Sequence, residues 1–312
     1  MMLTAYCLGF GSWTVNFEGW RTAVSKLRDQ GFEALGLSFS EGEMFLHRRI
    51  FDRQIEIAHQ CGLKVFVAPS RLGGRFAGSP QMISLWLTMH PECQVPGHPD
   101  LACIEAEPFV QWIQDFLSTL IRDHAVDGVI WDESKRSGLI STHPATVKKF
   151  GGVPTTEQAQ DSFVEFLDEL SSCCIAIRPN LVITMFNTAG APEYFTSRAA
   201  RIPHIQYCGY DGNFCQWSFF REPPRQDKYL LGDVWERTVR ECADGGKKTF
   251  ALVENFCIPK SEHDTYYKNL DDYLGRIRPD HLAVYCGASN NECPEEVERM
   301  TMNLLRKHRF AR

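Results

Sequence analysis

Asp127-Gly128-Val129-Ile130-Trp131-Asp132-Glu133-Ser134-Lys135 is the stretch whose reading decides the fold. Its apolar run is β-branched and aromatic and too short for a helix, so Gly128 to Asp132 reads as a strand that closes on two adjacent carboxylates. Just upstream, Phe109, Trp112, Ile113, Phe116, Leu117, Leu120 and Ile121 recur at helical spacing between Pro108 and Asp123, a stripe broad enough to cover a strand. A helix running straight into a buried strand is half of a βα repeat, the building unit of a parallel sheet.

The same alternation extends in both directions. Strands are predicted at Leu3 to Leu8, Ala34 to Ser38, Lys64 to Ala68, Gly128 to Asp132, Leu181 to Phe186, His204 to Cys208, Thr249 to Glu254 and His281 to Cys286. Each is followed by a helix: Gly19 to Asp29, Arg48 to Gln60, Pro108 to Asp123, Thr156 to Ile177, Glu193 to Ala199, Tyr229 to Ala243, His263 to Arg276 and Pro294 to Lys307. Eight such units imply an α/β fold, the (β/α)8 TIM barrel, as one domain over residues 1–312. The longest connection, residues 69–107, is rich in Gly, Pro and His and is expected to fold over the barrel mouth. A doubly wound open sheet shares the alternation, but Gly9-Phe10-Gly11 stops short of G-x-G-x-x-G because position 14 is Thr, so it reads as a tight turn. Walker, H-E-x-x-H and G-x-S-x-G motifs are absent.

Composition narrows the function classes. With 44% hydrophobic and 23% charged residues the chain has globular proportions, and a formal charge of -6 with both signs scattered leaves no basic stripe for a nucleic-acid backbone. Gly9, Gly11, Ser12, Thr14 and Asn16 interrupt the first apolar residues, unlike a signal peptide, and no run approaches the roughly 18 apolar residues of a membrane span. The expectation is a cytoplasmic protein with no membrane contact. Twelve cysteines, among them Cys7, Cys208, Cys257 and Cys286 in or just past strands, read as buried free thiols, and Cys173-Cys174 makes no C-x-x-C pair for a structural zinc.

Chemistry in a barrel of this kind comes from the carboxyl ends of the strands, which share one pocket. Strand alternation that turns Ile130 to the barrel axis turns Asp132 there too, while Glu133 sits where strand gives way to loop. One of the two has a bland alternative, capping or pairing with Lys135 or Arg136. On the seventh strand Phe250, Leu252 and Glu254 share a face, and a carboxylate ending an inward series is costly unless used or paired, with Arg71 as the candidate partner. Asp211, before Gly212, has two readings, an Asx turn or a catalytic acid. Paired carboxyls across a pocket suit glycosidic cleavage, one protonated as general acid and one ionised as nucleophile or base. Trp13, Trp131, Tyr207, Tyr210, Trp217 and Tyr285, near predicted strand ends, suit stacking on sugar faces, and Arg71 and Asn255 join the expected substrate-binding set.

The segment Pro108 to Lys135, with Val126-Asp127-Gly128-Val129-Ile130-Trp131-Asp132-Glu133, resembles the fourth-strand region of glycoside hydrolase (β/α)8 barrels, and the eight-unit layout extends the likeness over nearly the whole chain. The resemblance implies Glu133 as acid/base and Glu254 as nucleophile, the positions used by the large retaining superfamily with two glutamates. That superfamily has Asn before its fourth-strand Glu, where this chain has Asp132. Barrels similar to α-galactosidases and α-fucosidases place an Asp nucleophile at the end of strand four, which implies Asp132 as nucleophile with Asp211 as acid.

The leading expectation is an O-glycoside hydrolase acting on a small carbohydrate or glycoside, without metal or other cofactor, using Glu133, Glu254, Asp132 and Asp211. A second is a metal-dependent sugar isomerase or epimerase, since strand-end acids with His90, His98 and His143 in loops build divalent sites, although these histidines lack ligand spacing. A third is a carbohydrate-binding barrel that has lost one acid.

Overall fold

The computed structural model describes residues 1–7, 16–78, 83–215, 234–285 and 291–311. Trp13, Trp217 and Cys286, and the side chain of Cys7, lie outside the described residues. Eight parallel strands close into a barrel: β1 (Met2–Cys7), β2 (Ala34–Phe39), β3 (Lys64–Pro69), then past a small antiparallel hairpin of β4 (Gln94–Val95) and β5 (His98–Ala102), β6 (Gly128–Asp132), β7 (Val182–Thr188), β8 (Tyr207–Asp211), β9 (Lys248–Val253) and β10 (His281–Tyr285). Strand order around the barrel follows the chain, and β1 closes the ring on β10 with Tyr6 beside Tyr285. No described helix is long and apolar enough to cross a membrane.

The helices Arg48–Gln60, Thr156–Ile177, Glu193–Ala199, His263–Arg276 and Pro294–Lys307 have the bounds read from the sequence. Residues 69–107 are not one loop. They hold the helix Leu85–Met89 and the hairpin, and are fastened at the carboxyl ends of β3 and β6, where Ala77 N donates to Asp132 O at 2.8 Å and Lys135 N to Arg75 O at 3.0 Å.

Two cores result from strand alternation. Outward residues such as Val65, Val67, Val129, Trp131, Ile183 and Val253 pack under the helices, while Tyr6, Ala34, Phe66, Ala68, Ile130, Phe186, Phe250, Leu252 and Ala283 fill the barrel. At the amino-terminal end of the lumen His281 bonds Thr4 Oγ1 at 2.7 Å, and burial pulls its imidazole down to about 3. Gly36 is required beside Tyr6, since a Cβ there would lie 2.3 Å from the tyrosine ring. The phenol thereby reaches across the lumen.

The sixth barrel strand differs from its sequence reading, which ran from His204 to Cys208. It begins at Tyr207 and continues through Gly209 to Asp211. Gly209 reads as a breaker in sequence, but a Cβ there would meet Phe250 O at 1.9 Å, so glycine allows close backbone approach inside the strand rather than ending it. Asp211 is therefore the last residue of a strand, and the Asx-turn reading is set aside.

Candidate functional site

Four acids stand at the carboxyl ends of three strands. Asp132 ends β6 and Asp211 ends β8, both facing the lumen, and Glu254 follows β9 in phase with Phe250 and Leu252, pairing by a parallel bridge with Asn213. They are 3%, 2% and 6% exposed, so all three carboxyls are largely out of water. Glu133 reaches the same place by a different route. Strand alternation alone would turn it outward, but its φ is +39°, a left-handed conformation that redirects the chain after Asp132 while its N–H still donates to Phe186 O at 3.0 Å. One carboxylate oxygen from each of Glu133, Asp211 and Glu254 lies within 4.8 Å of the others. Non-glycine residues in this conformation are costly and gather where function over-determines the backbone, and Arg71 (φ +59°), Arg136 (φ +54°) and Cys257 (φ +57°) belong to loops at this same end.

Two cations serve these acids. Lys135 forms an ion pair with Glu133, and burial lowers its ammonium while the charges of Asp132, Asp211 and Glu254 oppose that shift. Arg71 donates from Nε to Gly78 O at 2.8 Å, so its fixed link is to its own loop rather than to Glu254, and burial lowers its guanidinium against the opposing pull of Asp132.

The four carboxyls are not equivalent. Burial raises Asp132, while Lys135, the Tyr6 hydroxyl and Arg71 pull it back; Tyr6 donates to its Oδ2 at 2.9 Å. Asp211 is pushed well above the ordinary carboxylate range, first by burial and then by the charges of Glu254 and Asp132. Among the described residues its Oδ1 is buried without a partner, as are Ser134 Oγ, next to Glu133, and Asn255 Oδ1, next to Glu254. Buried polar atoms left unpaired are rare, and these three, at the end of β8 and in the loops after β6 and β9, offer hydrogen bonds to a polar ligand. Asn255 is otherwise fixed through its carbonyl, which accepts from Asn291 Nδ2 at 2.8 Å.

The aromatic residues divide. Tyr285 ends β10 at the mouth, stacked on Phe256 with centroids 5.6 Å apart and edge-on to Tyr6 at 5.4 Å, and its phenol is raised by burial and by Asp132, Glu254 and Asp211. Trp131 is not at the mouth: lying between inward Ile130 and Asp132 it must face outward, where it stacks on Phe76 and donates from Nε1 to Ser171 Oγ at 3.0 Å. Tyr207 starts its strand and so lies at the opposite end of the barrel, against His281, a displacement that follows from the later start of β8. Tyr210 faces the outer helices and donates to Glu241. His90 pairs with Glu92, His98 with Arg136, and His143 caps the helix Pro144–Phe150, so these three histidines are engaged away from the acids. Tyr6 was missed by the sequence reading, though it shares the phase of Thr4 at the last inward position of the first strand.

No family model matches the chain, and no curated protein does. Solved structures do. A β-galactosidase from the psychrophilic Marinomonas ef1 superposes with a TM-score of 0.65 at 10% identity, over 99% of this chain and 60% of that one. The α-L-fucosidase isoenzyme 2 from Paenibacillus thiaminolyticus gives 0.62 at 13% identity, over 98% and 49%. An endo-1,4-β-mannanase from Eisenia fetida gives 0.55 at 9% identity, over 100% and 94%. The chain thus spans about half to three-fifths of the first two. At these identities the likeness establishes the fold, a (β/α)8 barrel of the kind found in glycoside hydrolases.

Proposed function

We propose that this barrel hydrolyses O-glycosidic bonds of a small carbohydrate or glycoside with the acids at its mouth, and that it does so with retention. The observation that carries the reading is the convergence of Glu133, Asp211 and Glu254 to within 4.8 Å. Retaining enzymes hold their two carboxyls about 5–5.5 Å apart, whereas inverting ones leave about 6.5–9.5 Å for a water. The ion pair with Lys135 favours Glu133 as the ionised group, poised as nucleophile. The proton needed by the leaving oxygen comes from the Asp211–Glu254 pair, since two carboxyls this close do not both ionise readily and Asp211 is the one driven toward its neutral form. These roles reverse the assignment of Glu133 and Glu254 implied by the family resemblance, and they leave Asp132 as a second nucleophile candidate, positioned by Tyr6. Arg71, Asn255 and Tyr285 border the acids and are proposed to orient the sugar. A cytoplasmic setting accords with ten described cysteines that are all free thiols.

Three clustered carboxylates also suit a hard divalent cation, as a sugar isomerase or epimerase would use. Against that reading, the Lys135 ammonium already supplies positive charge among the same acids, and no histidine belongs to the cluster among the described residues. The test is turnover of a panel of aryl glycosides by the wild type and by Glu133→Gln, Asp211→Asn and Glu254→Gln, with the first-formed anomer read by NMR. Retention in the wild type and loss of turnover in the variants are expected. Glycosides that bind without turning over would instead favour a carbohydrate-binding barrel, and sugar isomerisation abolished by a chelator would favour the metal enzyme.

A further inference from the structure

A second group of ligating side chains lies beside the mouth, and it differs in chemistry from the acids. His263 opens the helix after β9, Cys293 is the residue before the helix after β10, and Glu296 is in that helix's first turn. A nitrogen, a sulfur and an oxygen from the three lie within 4.8 Å of one another. His263 Nδ1 is 3.3 Å from a Glu296 oxygen, and among the described residues His263 Nε2 is buried with no partner. Cys293 is a free thiol and makes no capping hydrogen bond at its helix start. Among the described residues, then, His263 Nε2 has no partner and Cys293 caps nothing.

We propose that His263, Cys293 and Glu296 bind a zinc-class divalent ion that clips the loop after β9 to the loop after β10. The donor set decides the class: calcium and magnesium take oxygen ligands, whereas a thiolate, an imidazole and a carboxylate together suit zinc or cobalt, with three protein ligands leaving a fourth position open. Binding displaces the thiol proton of Cys293 to solvent, and the resulting thiolate with the Glu296 carboxylate balances the two positive charges. That balance matters here because two helix amino-termini face the site and repel uncompensated cations. The two loops are already stitched by Asn291, which accepts from Ile258 N and donates to Asn255 O, both at 2.8 Å, and by Lys260 N donating to Glu292 at 2.8 Å. The ion would complete this stitching and hold Asn255, and with it neighbouring Glu254, in place. The proposal stands independently of the sugar-cleaving reading.

The test is titration of metal-stripped full-length protein with zinc and with cobalt. One equivalent should bind, cobalt should give a thiolate-to-metal charge-transfer band in the near ultraviolet, and zinc should raise Tm. Outer-shell partners are worth about 10–100-fold in affinity, so loss of a ligand in Cys293→Ser or His263→Gln should weaken binding at least tenfold and remove the band. Glu254→Gln should leave both intact, separating this site from the acid cluster. Circular dichroism confirms that each variant is folded, and Glu296→Gln offers a milder change should either fail. Absence of stoichiometric binding, a cobalt spectrum without the thiolate band, or wild-type affinity in folded Cys293→Ser would overturn the proposal.

Discussion

The Tyr6 hydroxyl donates to Asp132 Oδ2 at 2.9 Å and so joins the first and fourth barrel strands across the lumen. The contact exists because Gly36 makes room for the ring and because burial makes an unassisted Asp132 carboxylate costly. Tyr6→Phe removes the donor and keeps the shape. A hydrogen bond to a charged group is worth about 1.5–3 kcal/mol, so stability should fall by that order. Asp132 then titrates higher in Tyr6→Phe than in the wild type, which carboxyl-resolved NMR titration of the two proteins reads.

Glu254→Gln preserves volume and removes the proton and the charge. General acid–base groups contribute about 10²–10⁴-fold, so glycoside turnover should fall by about three orders of magnitude or more while thermal unfolding stays within a few degrees of the wild type. Activity near the parent's would remove Glu254 from the mechanism.

Asp211 gives a pH signature that does not depend on knowing the substrate. Its folded-state titration lies above the unfolded value of about 3.9, so the stability it lends is complete below that pH and is lost as pH rises through the folded value. Asn cannot ionise and escapes this loss. Asp211→Asn should therefore match the wild type in Tm near pH 4 and exceed it by a margin that grows as pH rises, until the folded carboxyl ionises. A margin that shrinks with pH would show the carboxyl to be ionised and stabilised instead.

Trp131 separates packing from binding. Its indole fills the outer core against Phe76 and is fully buried. Trp131→Ala should cost about 3–5 kcal/mol, the range for large-to-small core changes, with KM for a cleaved glycoside unchanged in the folded fraction. A raised KM at unchanged stability would return Trp131 to the site.

The barrel was legible because a period of two in short runs and a helical period between them leave few alternatives once eight units are counted. The inward acids followed from the same arithmetic: Asp132 from Ile130, and Glu254 from Phe250 and Leu252. Several aromatic placements escaped it. Trp131 was judged by nearness to a strand end, when its odd phase sends it outward. Tyr207 lies at the other end of the barrel because its strand starts at Tyr207 and runs on through Gly209, and local sequence does not reveal that a backbone passes close by. Glu133, expected where strand gives way to loop, does join the acids, but through a left-handed turn that no glycine announces, a conformation held by its surroundings rather than by its own preference. Tyr6 needed both its own phase and the knowledge that Gly36 faces it.

The most direct test of the account is covalent trapping. A fluorosugar whose glycosyl-enzyme breaks down slowly, chosen from the glycosides the wild type cleaves, is incubated with the protein, and the labelled residue is located by fragmentation mass spectrometry. The account predicts one sugar per chain, on Glu133. A label on Asp132 or Glu254, or continued turnover with no adduct, would contradict the assignment of the ionised carboxylate beside Lys135 as the attacking group.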